Sequence, residues 1–170
     1  MKLRARLAIL TVSDRSSAGI REDRGGPLIR SWATDAGAEI LAAEILPDER
    51  SIIAERLEHW SRVGADLILT TGGTGLSSRD VTPEATLDVI ERAVPGIAEW
   101  IRASTGRSNR FAYLSRGVAG IRGRTLIVNL PGSPRAVGEY LDHLGRILPH
   151  ALEQLAARPG SERGDQHPSS

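Results

Sequence analysis

Apolar runs of strand length alternate along this chain with segments of helical periodicity, and no other feature narrows the possible folds so far. Leu7-Ala8-Ile9-Leu10-Thr11-Val12 is continuously apolar but for one threonine, as a strand buried on both faces must be. Glu39–Leu46, Leu67–Thr71 and Thr125–Leu130 read as three more strands. Between them, Pro27 follows Gly25-Gly26 at a first helical turn, Leu28, Ile29 and Trp32 share a face, and Gly37 closes the helix. Ser51 opens a second helix in which Ile53, Leu57 and Trp60 recur at i, i+4 and i+7. Residues 83–92 read as a third, and Pro95-Gly96 starts a fourth that reaches Trp100. Residues 104–110 read as a loop, and residues 111–121 as an extended segment broken at Gly117. A last helix spans residues 135–156, bent near Pro149. Such alternation predicts an α/β fold: a mostly parallel central sheet with helices on both faces. Residues 1–157 are expected to form the domain, and the Pro-, Gly- and Ser-rich residues 158–170 a disordered tail.

The fold prediction places the chemistry. Right-handed crossovers bring every strand-to-helix loop to one edge of the sheet, where open α/β sheets bind ligands. Four loops converge there: residues 13–19, 47–50, 72–82 and 131–135. They hold much of the polar and glycine-rich sequence.

Several chemistries are excluded at the outset. The chain has no cysteine, so thiolate catalysis, disulfides and zinc–thiolate sites fall away. Its single lysine is Lys2, and the glycine loop continues into Leu76 rather than Lys-Ser/Thr, so it is not a Walker phosphate loop. A formal net charge of +1 argues against a nucleic-acid or membrane partner held by bulk charge. No apolar run approaches the roughly 20 residues of a membrane span, the N-terminus lacks a signal-peptide core, and a cytoplasmic protein is expected. His59, His143, His150 and His167 show no ligand spacing. Trp32, Trp60 and Trp100 read as core or interface residues on helices.

What remains is anion chemistry. Thr71-Gly72-Gly73-Thr74-Gly75 reads either as a tight turn or as a cradle whose amides and hydroxyls hold phosphate oxygens. Arg79-Asp80 and a helix start at Thr82-Pro83-Glu84 follow, and a helix N-terminus favours anions. Asp80 is either a helix cap or a ligand. Asp48, in Pro47-Asp48-Glu49, is either a turn residue or the second carboxylate of a pair that, beside a phosphate cradle, can hold Mg²⁺. Ser13-Asp14-Arg15 offers a third carboxylate or a local turn. Pro131-Gly132-Ser133-Pro134, with Arg135, is a strand-to-helix turn or a second anion site. Ser115-Arg116 is weaker and defaults to an exposed position.

Taken in order, these segments resemble the molybdopterin adenylyltransferase (MogA/MoaB) family of molybdenum cofactor biosynthesis. The likeness rests on Thr71-Gly72-Gly73-Thr74-Gly75 with Arg79-Asp80-Val81-Thr82-Pro83-Glu84-Ala85-Thr86. It also rests on Ser13-Asp14-Arg15, Pro47-Asp48-Glu49, Ser115-Arg116 with Ala119-Gly120, and Leu130-Pro131-Gly132-Ser133-Pro134. It spans about residues 5–156.

The resemblance implies a three-layer α/β fold, a homotrimer, Mg²⁺, and ATP and molybdopterin as substrates. The molybdopterin phosphate would attack the α-phosphorus of ATP and release pyrophosphate. Asp48 and Asp80 match the aspartates tied to catalysis, and both are also assigned here to the metal. Ser13, Asp14, Thr71, Gly72, Gly73, Thr74, Gly75, Arg79, Ser115, Pro131, Gly132, Ser133 and Pro134 are expected to bind substrate. Contact with the molybdenum-inserting enzyme of the pathway is a further expectation. Two competitors stand beside this reading: a non-catalytic molybdopterin carrier or scaffold of the same fold, and a hydrolase of a phosphate-containing nucleotide.

Overall fold

The computed structural model describes residues 2–157; the tail expected at residues 158–170 lies outside them. Among the described residues a six-stranded sheet runs in the order β2-β1-β3-β6-β5-β4. Its strands are β1 (Arg6–Val12), β2 (Glu39–Leu46), β3 (Leu67–Thr71), β4 (Arg92–Ala93), β5 (Ala119–Arg122) and β6 (Thr125–Leu130). The first four in that spatial order are parallel, while β5 runs antiparallel to β6 and β4 antiparallel to β5. The sheet is therefore mostly parallel, with an antiparallel flank.

Alternation along the strands sorts side chains into two cores. Leu7, Ile9, Leu67, Leu69, Leu126 and Val128 face one layer of helices. That layer comprises α2 (Gly25–Asp35), α5 (Pro95–Gly106), α6 (Pro134–Leu144) and α7 (Leu148–Ala156). Ala8, Leu10, Val12, Ile68 and Ile127 face the other, built from α3 (Arg50–Arg62) and α4 (Thr82–Val89). Three layers result, as expected. Trp60 is buried in the second core and Trp32 packs half-buried on the first. Asn129 ties the layers in their polar middle: its amide donates to Thr70 Oγ1 and Thr86 Oγ1, and its side-chain carbonyl accepts from Val118 N–H.

Several local expectations are corrected. Residues 13–19 are not all loop: α1 (Asp14–Ser17) is one turn, capped by Ser13, whose hydroxyl accepts from Ser16 N–H. Helix α2 begins at Gly25, because the Asp23 carboxylate accepts from both Gly25 and Gly26 N–H ahead of Pro27. Helix α5 continues to Gly106 through the residues read as loop. Residues 110–114 form a 3₁₀ turn started by Asn109, whose side chain accepts from Phe111 N–H. The long last helix is two helices. The chain breaks at Gly145-Arg146-Ile147, and Pro149 sits in the first turn of α7, where its missing N–H costs nothing. No helix among the described residues is long and apolar enough to cross a membrane.

Candidate functional site

The carboxyl ends of β1, β2, β3 and β6 open into one cleft of about 970 Å³. Ser13, Asp48, Thr71, Gly72, Gly73, Thr74, Gly75, Asp80, Ser115, Pro131, Gly132, Ser133 and Pro134 all line it. Asp14 and Arg79 do not; they lie beside it, bonded to each other.

Closeness of backbone dictates the glycines. Gly72 has φ +93°, and a Cβ there would stand 2.2 Å from Val12 O, so only glycine lets the end of β3 pass the end of β1. Its carbonyl accepts from Thr82 Oγ1 at 3.0 Å, which ties the loop to α4. Thr71 Oγ1 donates to Pro131 O at 2.7 Å, which ties it to the loop after β6. The glycines also make room for the carboxylates. A Cβ on Gly73 would lie 2.9 Å from Asp48 Oδ1, and one on Gly75 would lie 2.9 Å from Asp80 Oδ2. Two acidic groups separated by 32 positions thus border one loop.

Their environments differ. Asp80 is not the cap of α4: Val81 holds that position with no side-chain cap. The Asp80 carboxylate instead accepts from Ser77 N–H at 3.1 Å. Asp48 Oδ2 accepts from Asp14 N–H at 3.0 Å, and Asp14 Oδ1 accepts from Asp48 N–H at 3.0 Å. Asp48 Oδ1 is buried with no hydrogen-bond partner. Burial pushes the Asp48 carboxyl above the ordinary range, the Asp14 amide draws it back, and repulsion from Asp14 and Asp80 adds to the rise. A half-buried acid with an orphan oxygen, next to a second acid, is an incomplete donor set for a cation.

Asp14 shows the opposite balance. Arg79 donates to it through Nε and Nη2, each at 3.0 Å, and holds its carboxyl below the usual range, with help from Asp48 N–H. Arg79 Nη2 also reaches Glu49 at 3.1 Å. With these contacts, Arg79 and Asp14 face each other and Glu49 beside the cleft. Arg79 spends its fork on two acids of this chain, and Asp14 braces Asp48.

Ser133 caps α6, accepting from Ala136 N–H at 3.2 Å, which leaves its hydroxyl hydrogen free to donate into the cleft. Among the described residues, no three His, Asp or Glu side chains gather as a metal cluster. The sequence reading missed Thr11, Asp23, Asn109, Phe111 and Tyr140, which also line the cleft. Asp23 accepts from Thr11 Oγ1 at 2.8 Å and fixes the start of α2. An acid two residues before Gly25-Gly26 was its sequence signal. Nothing local in the sequence marked Tyr140, a buried position within α6 that reads as core.

Comparison with known proteins identifies the family and the fold. The family described as "Probable molybdopterin binding domain" matches residues 8–150. Molybdopterin adenylyltransferase of Escherichia coli K12 is 39% identical over 154 residues, covering 86% of this chain and 79% of that protein. The molybdenum cofactor synthesis protein cinnamon of Drosophila melanogaster is 42% identical over 150 residues, covering 86% of this chain; the chain spans only 25% of that protein. The crystal structure of the molybdopterin biosynthesis enzyme MoaB from Thermus thermophilus superposes with a TM-score of 0.85 at 49% identity, covering 91% of this chain and 98% of that one. By sequence and by fold, the chain belongs to the MogA/MoaB family of molybdopterin-binding domains.

Proposed function

We infer that the chain is a molybdopterin adenylyltransferase that uses Mg²⁺ and ATP, and that it works as a cytoplasmic homotrimer in molybdenum cofactor biosynthesis. The observation that carries the catalytic reading is the pairing of Asp48 and Asp80 against one glycine loop, with Asp48 Oδ1 buried and unpartnered. Two carboxylates fit a hard cation whose remaining ligands are water and phosphate oxygens. Trimer and contact with a molybdenum-inserting enzyme rest on the family resemblance alone, and location rests on the sequence reading.

The reacting groups need little covalent help from the protein. An anionic phosphate oxygen of molybdopterin attacks the α-phosphorus of ATP. The bond from that phosphorus to the α,β-bridging oxygen breaks, and pyrophosphate leaves with the electron pair. The nucleophile is already deprotonated, so no cysteine, lysine or histidine is required. The task of the residues is alignment and charge stabilisation. Asp48 and Asp80 would hold Mg²⁺, which when bound offsets the repulsion between the two phosphates. The Gly72 N–H is spent on Leu130 O, so the amides of Gly73 and Gly75 and the hydroxyls of Thr74 and Ser133 would orient phosphate oxygens. Arg79 and Asp14 would keep Asp48 in place.

Pure protein mixed with molybdopterin, ATP and Mg²⁺ is expected to release pyrophosphate in step with adenylylated molybdopterin. Pterin binding with no pyrophosphate would favour the carrier, and ATP consumption without pterin would favour the hydrolase.

A further inference from the structure

The loop that carries Asp80 is poorly anchored by packing. Residues 76–79 are all exposed, and Leu76 keeps 68% of its surface in water. Apolar burial therefore contributes little to its position, and polar ties must set it. Within the loop, Asp80 N–H donates to Ser77 O and Arg79 N–H to Ser77 Oγ. Arg79 ties the loop outward to Asp14 and Glu49, and the ties to the backbone of its two ends come from one residue, next to Ser115. Arg116 Nε donates to Gly75 O at 2.7 Å and Nη2 to Asp80 O at 2.7 Å. Its Nη1 pairs with the Glu84 carboxylate in the first turn of α4, and its own N–H donates to Thr74 O at 2.9 Å.

We propose that Arg116 is a positioning residue, whose single guanidinium grips both ends of the Gly75-to-Asp80 loop and the start of α4, and so sets where the Asp80 carboxylate stands relative to the Ser115 wall of the cleft. Arg116 does not line the cleft itself. Ser115, one peptide bond away, does. The wall and the acidic loop are therefore held as one body. Only a planar fork reaches three acceptors in these directions; an ammonium group cannot. The inference rests on the adenylyl-transfer reading.

Four chains test it: the parent, Arg116→Lys, Glu84→Gln, and Arg56→Gln as a control in the separate Arg56–Glu44 pair, which should match the parent in rate and exchange. Arg116→Lys is expected to lower kcat about 10- to 100-fold while KM for ATP stays within about threefold. Its amides at residues 76–80 should exchange hydrogen faster, and those of β3 should exchange as in the parent. Glu84→Gln keeps both carbonyl ties and should show a smaller fall in the same direction. An unchanged kcat in Arg116→Lys would overturn the proposal. So would faster exchange throughout the sheet, which would make Arg116 a general stabiliser. Should Arg116→Lys not fold, the Glu84→Gln rate and exchange decide by the same criteria. A parent that binds ATP but transfers no adenylyl group would refute the enzyme reading and leave the exchange comparison to judge the positioning role.

Discussion

The parallel half of the sheet and its antiparallel flank differ in nearly every respect that concerns this site. Strands β1, β2, β3 and β6 end in the loops that bring Ser13, Asp48, the three glycines and Ser133 to the cleft. Strands β5 and β4 supply no residue to the cleft, and the 3₁₀ turn before β5 adds a side wall of Asn109, Phe111, Ala112, Leu114 and Ser115. The middle of the parallel half is closely packed, with every residue of β3 and β6 buried, while its edge strand β2 has none buried. The flank is short and thin, and both residues of β4 are exposed. The lesson is a division of labour. The dense half holds charges and backbone amides in unfavourable closeness, which only a rigid frame sustains. The thin half is tied back to the glycine loop by Arg116.

The largest effect that would break this contrast concerns Asp48. Asp48→Asn is expected to lower turnover by about two to three orders of magnitude and yet to raise the melting temperature of metal-free protein at pH 7. The sign follows from its raised pKa, set chiefly by burial. The folded chain holds that proton more tightly than the unfolded chain. Stability therefore falls as pH rises from the unfolded value through the folded one, and above it the whole penalty stands. The melting advantage of Asp48→Asn should close as pH drops below about 4, where the unfolded carboxyl is also protonated. Calorimetry in EDTA across that range is the check, and an Asp48→Asn that melts below the parent at pH 7 would show that the frame does not bear this strain.

Two glycines sharpen the comparison at intermediate and small scale. Gly72→Ala forces a side chain to φ +93° and into Val12 O, and should cost about 3–5 kcal/mol in urea unfolding. Gly123, in the two-residue turn between β5 and β6, also has positive φ, +56°, but nothing lies within 4 Å of a Cβ there. Gly123→Asn should cost only about 1 kcal/mol, because asparagine tolerates that conformation and meets open space. Equal costs at the two sites would remove the distinction between the halves.

The same contrast explains what was legible in the sequence. Strands buried on both faces must be continuous apolar runs, so β1, β3 and β6 stood out; the polar run after β1 and the glycine and proline punctuation after β3 and β6 located three of the loops. The flank carries no such signal. Strand β4 is two residues, Arg92 and Ala93, and β5 has Gly120 against Ile90 in its middle, so neither shows a period. The break at Gly145 was hidden because Pro149 looked like the more disruptive residue, although proline in a first turn disrupts nothing. Asp48 and Asp80 could be paired from fold logic, since both follow strands that end on one edge. The partner of Arg79 could not. An arginine beside a phosphate loop reads as a substrate ligand, and only folding reveals that Asp14, 65 positions away, takes its fork.

The proposed adenylyl transfer at this site requires Asp48 and Asp80 to act together on one ion. Calorimetric titration of the parent, Asp48→Asn and Asp80→Asn with ATP, each with and without Mg²⁺, addresses that most directly. The expected result is ATP affinity that rises with Mg²⁺ in the parent and loses most of that gain in both variants alike. An Mg²⁺ gain that survives intact when either carboxylate is neutralised would contradict it.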